Sequence, residues 1–164
     1  MSGATRNQIE DQISDLDKSF NTRTSMYQFP IILGTDVVDQ PDIYGRVGNL
    51  LIADRAYTVT KIGAVHNVVQ TSADGASISV FKAAGTTTPQ AATLNLITDT
   101  AFDGNDAKFL GFNLKGIAVN VVTDCTLTTY AHSLRLEAGD RLVYGCRGTI
   151  TSTTIVLAVQ LTQV

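Results

Sequence analysis

Side chains able to do chemistry are scarce in this chain. Two histidines (His66, His132), two cysteines (Cys125, Cys146) and two glutamates (Glu10, Glu137) stand among 164 residues. Histidine is the commonest metal ligand and general base. A cupin-type metal site needs a His-x-His pair with a glutamate near it, and neither histidine has another two residues away. Both are read as strand or rim histidines with satisfied hydrogen bonds. Neither cysteine belongs to a C-x-x-C pair, so zinc and redox motifs do not arise. Nothing near Cys125 or His132 in the sequence would depress a thiolate pKa. No G-x-S-x-G, G-x-x-x-x-G-K-[ST] or G-x-G-x-x-G occurs. Asp99, Asp103 and Asp106 sit in TDTAFDGND, which lacks the bidentate glutamate of an EF-hand loop and reads as an Asx-built turn. The expectation is a protein that is not an enzyme and uses no metal or cofactor.

Charge narrows the partners. The net charge is −3 and the basic residues form no run. Phosphate recognition needs clustered Lys and Arg, so nucleic acid is not an expected partner. Arg135, Arg141 and Arg147 stand singly among apolar neighbours and read as solvated outward positions on strands. The first twenty residues hold no apolar core of a signal peptide. Apolar stretches such as IVLAV (155–159) fall far short of the ~18 residues of a membrane-spanning helix. A reducing cytosol is the expected place of synthesis, with Cys125 and Cys146 as buried thiols.

The remaining residues say what must position any site. Twenty-two Thr, 15 Val and 12 Ile make β-branched side chains about 30% of the chain. Such side chains are stiff at χ1 and suit a pleated surface. Strand-like stretches follow one another: YQFPIIL (27–33), with Pro30 marking an edge, then NLLIA (49–53) and YTVTKIGAVHNVVQT (57–71). The last of these slips in alternation near Gly63, which predicts a bulge. ASISVFKA (76–83), TLNLIT (93–98), FLGFNL (109–114), IAVNVVT (117–123) and TLTTYA (126–131) continue the series. LRLEAGDRLVYGCRGT (134–149) splits around AGD, and TIVLAVQLTQ (154–163) closes it. From Tyr57 onward, about eight strands with turn chemistry between them predict an all-β fold, an antiparallel β-sandwich of jelly-roll type.

Residues 1–24 differ from this pattern. They carry seven charges and no Val. Their apolar residues Ile9, Ile13, Leu16 and Phe20 fall at spacings of 4, 3 and 4, one face of a helix and a short a/d seam. Asn7 with Glu10 resembles a capping box, so a helix is expected over 7–21. Alone it is too short to be stable in water, and its stripe must be buried against the chain's own body, a sister helix or a partner. The expected organisation is an N-terminal helical arm (1–24), an extended transition segment with an edge strand (25–56) and a sandwich body (57–164).

YTVTKIGAVHNVV (57–69), SISVFK (77–82), SLRLEAGDRLVYGCRGT (133–149) and IVLAVQL (155–161) together resemble the jelly-roll decoration, cement or head-fibre proteins of tailed bacteriophages. The resemblance covers 57–164. It implies a homo-oligomer, trimer favoured and dimer possible, assembled in the host cytoplasm and carried on the capsid exterior. Its partner would be the major capsid protein, whose subunits it would bridge, with no part for nucleic acid or membrane. The arm residues Ile9, Ile13, Leu16 and Phe20 are the expected interface. The alternative is a head-fibre or adhesin module that binds a receptor or glycan through loops 83–92 or 99–108.

Overall fold

The computed structural model describes residues 6–21, 23–34, 46–71, 76–87, 94–98 and 110–164. The described residues fold as two antiparallel sheets, preceded in the chain by a helix, α1 (Arg6–Asn21). The first sheet runs β1 (Thr24–Leu33), β10 (Thr153–Gln163), β3 (Tyr57–His66), with β7 (Thr123–Asp124) and β8 (Arg135–Leu136) sharing the far edge of β3. The second runs β2 (Arg46–Ile52), β9 (Arg141–Gly148), β4 (Ala76–Ala83), with β5 (Leu94–Asn95) and β6 (Phe112–Asn113) sharing the far edge of β4. Early and late strands alternate in each sheet, and the steps β1→β2, β2→β3, β3→β4 and β9→β10 each cross between sheets. That is the wrapped double-sheet path of a jelly roll. Residues 24–33 pair with β10 along their whole length, so β1 is an integral edge of the sandwich.

Alternation places the core. Ile155, Leu157, Val159 and Leu161 of β10 are all fully buried, as are Ile78 and Val80 of β4 and Val59, Ile62 and Ala64 of β3. The register of β3 against β10 shifts between Gln160 and Leu161, opposite Thr60. The bulge therefore lies three residues before the glycine that the sequence singled out. Gly63 has a different reason to be glycine: a Cβ there would meet Asp124 Oδ1 at 2.9 Å, so it admits β7.

Among the described residues of 94–98 and 110–134 the strands are fragments. Of IAVNVVT only Thr123 is in a strand, and TLTTYA forms only the isolated bridge of Leu127 to Ile97. Side chains take over the backbone groups that a longer ladder would use. Asn95 Oδ1 accepts from the Ile97 amide (3.0 Å), Asn113 Oδ1 from Lys115 and Gly116 (3.1 and 3.2 Å), and Thr128 Oγ1 from Tyr130 (3.3 Å). Asn120 adds a left-handed residue, φ 59°. Residues 131–134 form a single helical turn, α2 (Ala131–Leu134).

Glu137–Asp140 is a tight turn. The Asp140 amide donates to the Glu137 carbonyl (3.0 Å), and Gly139 sits third with φ 90°, as a type II turn requires. Asp140 Oδ2 also accepts from the Glu137 amide (2.9 Å). Ala53 pins the turn from the β2–β3 connection, accepting from Gly139 and donating to Asp140, both at 2.8 Å.

Candidate functional site

The helix α1 starts one residue earlier than the sequence suggested, so Asn7 lies in its first turn and not at its cap. Every described side chain from Gln8 to Asp15 is exposed. Ile9 and Ile13 retain 46% and 54% of their accessible surface, although both belong to the apolar stripe. Leu16 and Phe20 lie on the same helix; their side chains fall outside the described residues.

The arm's root is stitched to the end of β10. Thr24 faces Thr162, and their hydroxyls hydrogen-bond at 2.9 Å. The Gln163 amide donates to the Arg23 carbonyl (3.1 Å) and the Val164 amide to that of Ala56 (3.3 Å). Beside them Asp54 accepts from the Tyr57 hydroxyl (2.6 Å) and from two nitrogens of Arg55 (3.1 and 3.0 Å). These bonds hold the Asp54 carboxyl below the usual carboxylate range and push the Tyr57 hydroxyl up to about 12. Deeper at this end, Lys82 Nζ pairs with Asp140 Oδ2 (3.1 Å), each side chain only 14% exposed, and donates to the Arg135 carbonyl (2.5 Å). That pair ties the end of β4 in one sheet to the turn that leads from β8 of the other sheet into β9.

A second apolar surface lies along the open edge of the sandwich. β1 is the outer strand of its sheet and β2 of the other. A groove of about 300 Å³ runs between them, lined by Phe29, Pro30, Ile31, Ile32, Leu50 and Tyr144 with Asn49. Ile32 is 80% exposed, and Met26 and Ile52 are also uncovered. Pro30 removes one backbone donor from this strand, which blunts the edge against strand-by-strand pairing. The run FPIIL (29–33) carries the sequence signal for this surface, because apolar residues occupy both parities of a strand and one parity must face out.

No protein-family model matches the chain, and no curated protein matches it. Among solved structures, a chain of the cyanophage Pam1 capsid asymmetric unit is similar, with a TM-score of 0.52 and 12% sequence identity. The similarity covers 88% of this chain and 88% of that one. The two chains share a fold.

Among the described residues the chemistry-bearing side chains are not gathered. Among the described residues no three His, Cys, Asp or Glu side chains are grouped to hold a metal ion. His66 ends β3, whereas His132 lies just before β8, which pairs with the first two residues of β3. Cys125 and Cys146 are thiols, and Cys146 is buried. Asp99, Asp103, Asp106 and most of loops 83–92 and 99–108 lie outside the described residues.

Two sequence expectations change. Arg147 is not solvated but buried at 6% exposure, on the outer face of β9 opposite Ser77. Arg141 is half-buried and donates to Asn49 and to the carbonyls of Ala84 and Thr87. Of the three, Arg135 alone stays exposed, paired with Glu137. His66 is buried at 1% exposure, and neither ring nitrogen has a hydrogen-bond partner among the described residues. Facing Ile155 across the ladder, it points into the core.

Burial pushes the His66 imidazole below its ordinary value of 6.5. The unfolded chain then takes up a proton that the folded chain refuses, so stability holds above pH 6.5 and falls as pH drops below it. The melting temperature should decline between pH 7 and 5, and His66→Leu should remove that part of the decline. An unchanged pH profile in His66→Leu would show that the imidazole titrates alike in both states.

Proposed function

We propose that this chain is a structural virion protein that coats the outside of a phage capsid and ties neighbouring capsid subunits together. The observation that carries the reading is the fold it shares with a chain of the cyanophage Pam1 capsid. Its partner on this reading is the major capsid protein. The arm supports it, because α1 offers Ile9 and Ile13 to a surface that the chain's own sandwich does not supply. Burying one such side chain contributes about 1.5–3 kcal/mol, so a single arm holds weakly. Copies joined to one another on a symmetric shell bind together, and their avidity exceeds any one contact.

Co-sedimentation with expanded, DNA-free phage shells that lack their own decorating protein tests this. The protein should pellet with the shells at a fixed ratio to the capsid subunit, and the shells should then survive heat or dilution that ruptures bare ones. Protein left in the supernatant at micromolar concentration contradicts the proposal. Saturable binding to a glycan array in place of shells would favour the receptor-binding alternative.

A further inference from the structure

We propose that residues 117–125 are a strap that sheathes one edge of β3 and that acid releases, with the buried His66 as its latch. The inference holds or fails without the virion reading. Three observations carry it.

The strap is held by backbone groups and one ion pair. The Asn120 amide donates to the His66 carbonyl (2.8 Å) and the Cys125 amide to that of Ile62 (3.0 Å). Between them Thr123 and Asp124 pair with Ala64 and Gly63. Lys61 Nζ meets Asp124 Oδ2 at 2.9 Å, with both side chains half exposed. No residue from Lys115 to Leu127 is fully buried, and Val121 and Val122 are exposed. Lifting such a segment uncovers little apolar surface, so it opens at less cost than the core.

The latch is the last rung of β3. His66 stands opposite Ile155 with its ring inside the sandwich, while its carbonyl carries the first bond of the strap. Neither ring nitrogen has a hydrogen-bond partner among the described residues. An imidazolium carries a full charge and two N–H donors, and an apolar core accepts neither. A protonated ring must leave the core by turning the end of β3. That movement carries away the carbonyl that holds Asn120, whose left-handed backbone (φ 59°) depends on the bond.

The surroundings supply no compensating carboxylate among the described residues. β1, β10, the 67–71 loop and the 149–152 link contain no charged residue. Tyr27 on β1 and the thiols Cys125 and Cys146 are the titratable groups packed on the same core. Arg46 stands opposite Cys146 on β2, and its side chain falls outside the described residues. Lys61 and Asp124 face each other on the outer side of the sheet, away from the imidazole. Lys82 and Asp140 pair with each other at the other end of β4. Burial therefore keeps the ring neutral, and a freed ring returns to its ordinary value of 6.5. The strap is latched above pH 6.5 and opens more easily as pH falls below it. At pH 5.0 protonation of the freed ring favours the open form by about 30-fold relative to pH 7.5. Release bares the backbone groups of β3 from Ile62 to His66 as an unpaired strand edge.

Amide exchange of the full chain, read by NMR at pH 7.5 and 5.0 and corrected for the intrinsic pH dependence of exchange, decides it. The Asn120 and Cys125 amides should lose at least fivefold in protection at pH 5.0. At both pH values they should stay at least a hundredfold less protected than Val159, which sits between β1 and β3 in the centre of its sheet. His66→Leu should remove the pH step, and His66→Phe serves the same purpose if the leucine variant lacks the strand signal in circular dichroism. Asp124→Asn should lower protection of the strap at both pH values and keep the step, because the step belongs to the imidazole. Strap amides as protected as Val159 would show that the segment opens only with the whole sandwich. That result, an absent step, a step that survives both His66 variants, or a step lost in Asp124→Asn overturns the proposal.

Discussion

Deleting residues 1–24 should abolish shell binding while leaving a folded sandwich. The cut removes α1 and the single β1 residue Thr24, which is the exposed first rung of a ten-residue pairing with β10. The core is made elsewhere, by Ile31, Leu33, Ile62, Ile78, Leu142, Leu157 and their neighbours, all with 7% exposure or less. The body should therefore keep its strand spectrum and a melting temperature within a few degrees of the parent's. Binding should fall by at least a hundredfold, because avidity multiplies the loss at each arm. Full binding by the truncated protein would move the shell contact to the sandwich, with the β1–β2 groove as the surface to examine. An unfolded truncation would make the helix part of the core.

The second large effect is expected at Lys82. Its ammonium meets Asp140 at 3.1 Å and the Arg135 carbonyl at 2.5 Å, where both charged side chains are 14% exposed. Lys82→Met keeps the stem and removes the charge, which leaves a carboxylate in poor solvent contact beside an unpaired carbonyl. Breaking a buried pair from one side costs about 3–5 kcal/mol, and the residual exposure here puts the cost near 3. That corresponds to a fall of about 6–12 °C in melting temperature for a chain of this size. Asp140→Asn added to Lys82→Met should recover part of the loss, since the uncompensated charge is then gone. A Lys82→Met protein that melts with the parent would show that water reaches Asp140 freely. The pair also holds the end from which α1 emerges, so the destabilised variant should bind shells more weakly at temperatures where the body is still folded.

These positions show how far the sequence could be read. ASISVFKA and TIVLAVQLTQ were legible almost to the residue, because strict alternation between turn signals has one reading. AGD was legible as a turn, and the structure adds why each residue is there: φ 90° at Gly139 and a double role for the Asp140 carboxylate. The helix was legible from four apolar residues. The described parts of 94–134 misled, since Asn95, Asn113 and Thr128 look like ordinary strand or turn residues until their side chains are seen taking backbone partners. Arg147 and His66 misled for a related reason. Polar residues in a strand are assigned to solvent by default, and only the fold shows that Arg147 is covered and that His66 points inward. The arm stripe was legible as a surface to be buried, but its partner was not, because a seam of four residues is compatible with any apolar face.

Electron cryomicroscopy of shells incubated with the full chain would place the protein on the capsid or off it. Sandwich-shaped density is expected on the shell exterior over the junctions between capsid subunits, with the arm in contact with the shell. Bare shells, or sandwich density joined to the shell only through the end of the sandwich opposite Thr24, where Val69, Val121 and Val122 are exposed, with the arms free in solvent, would contradict the proposed function.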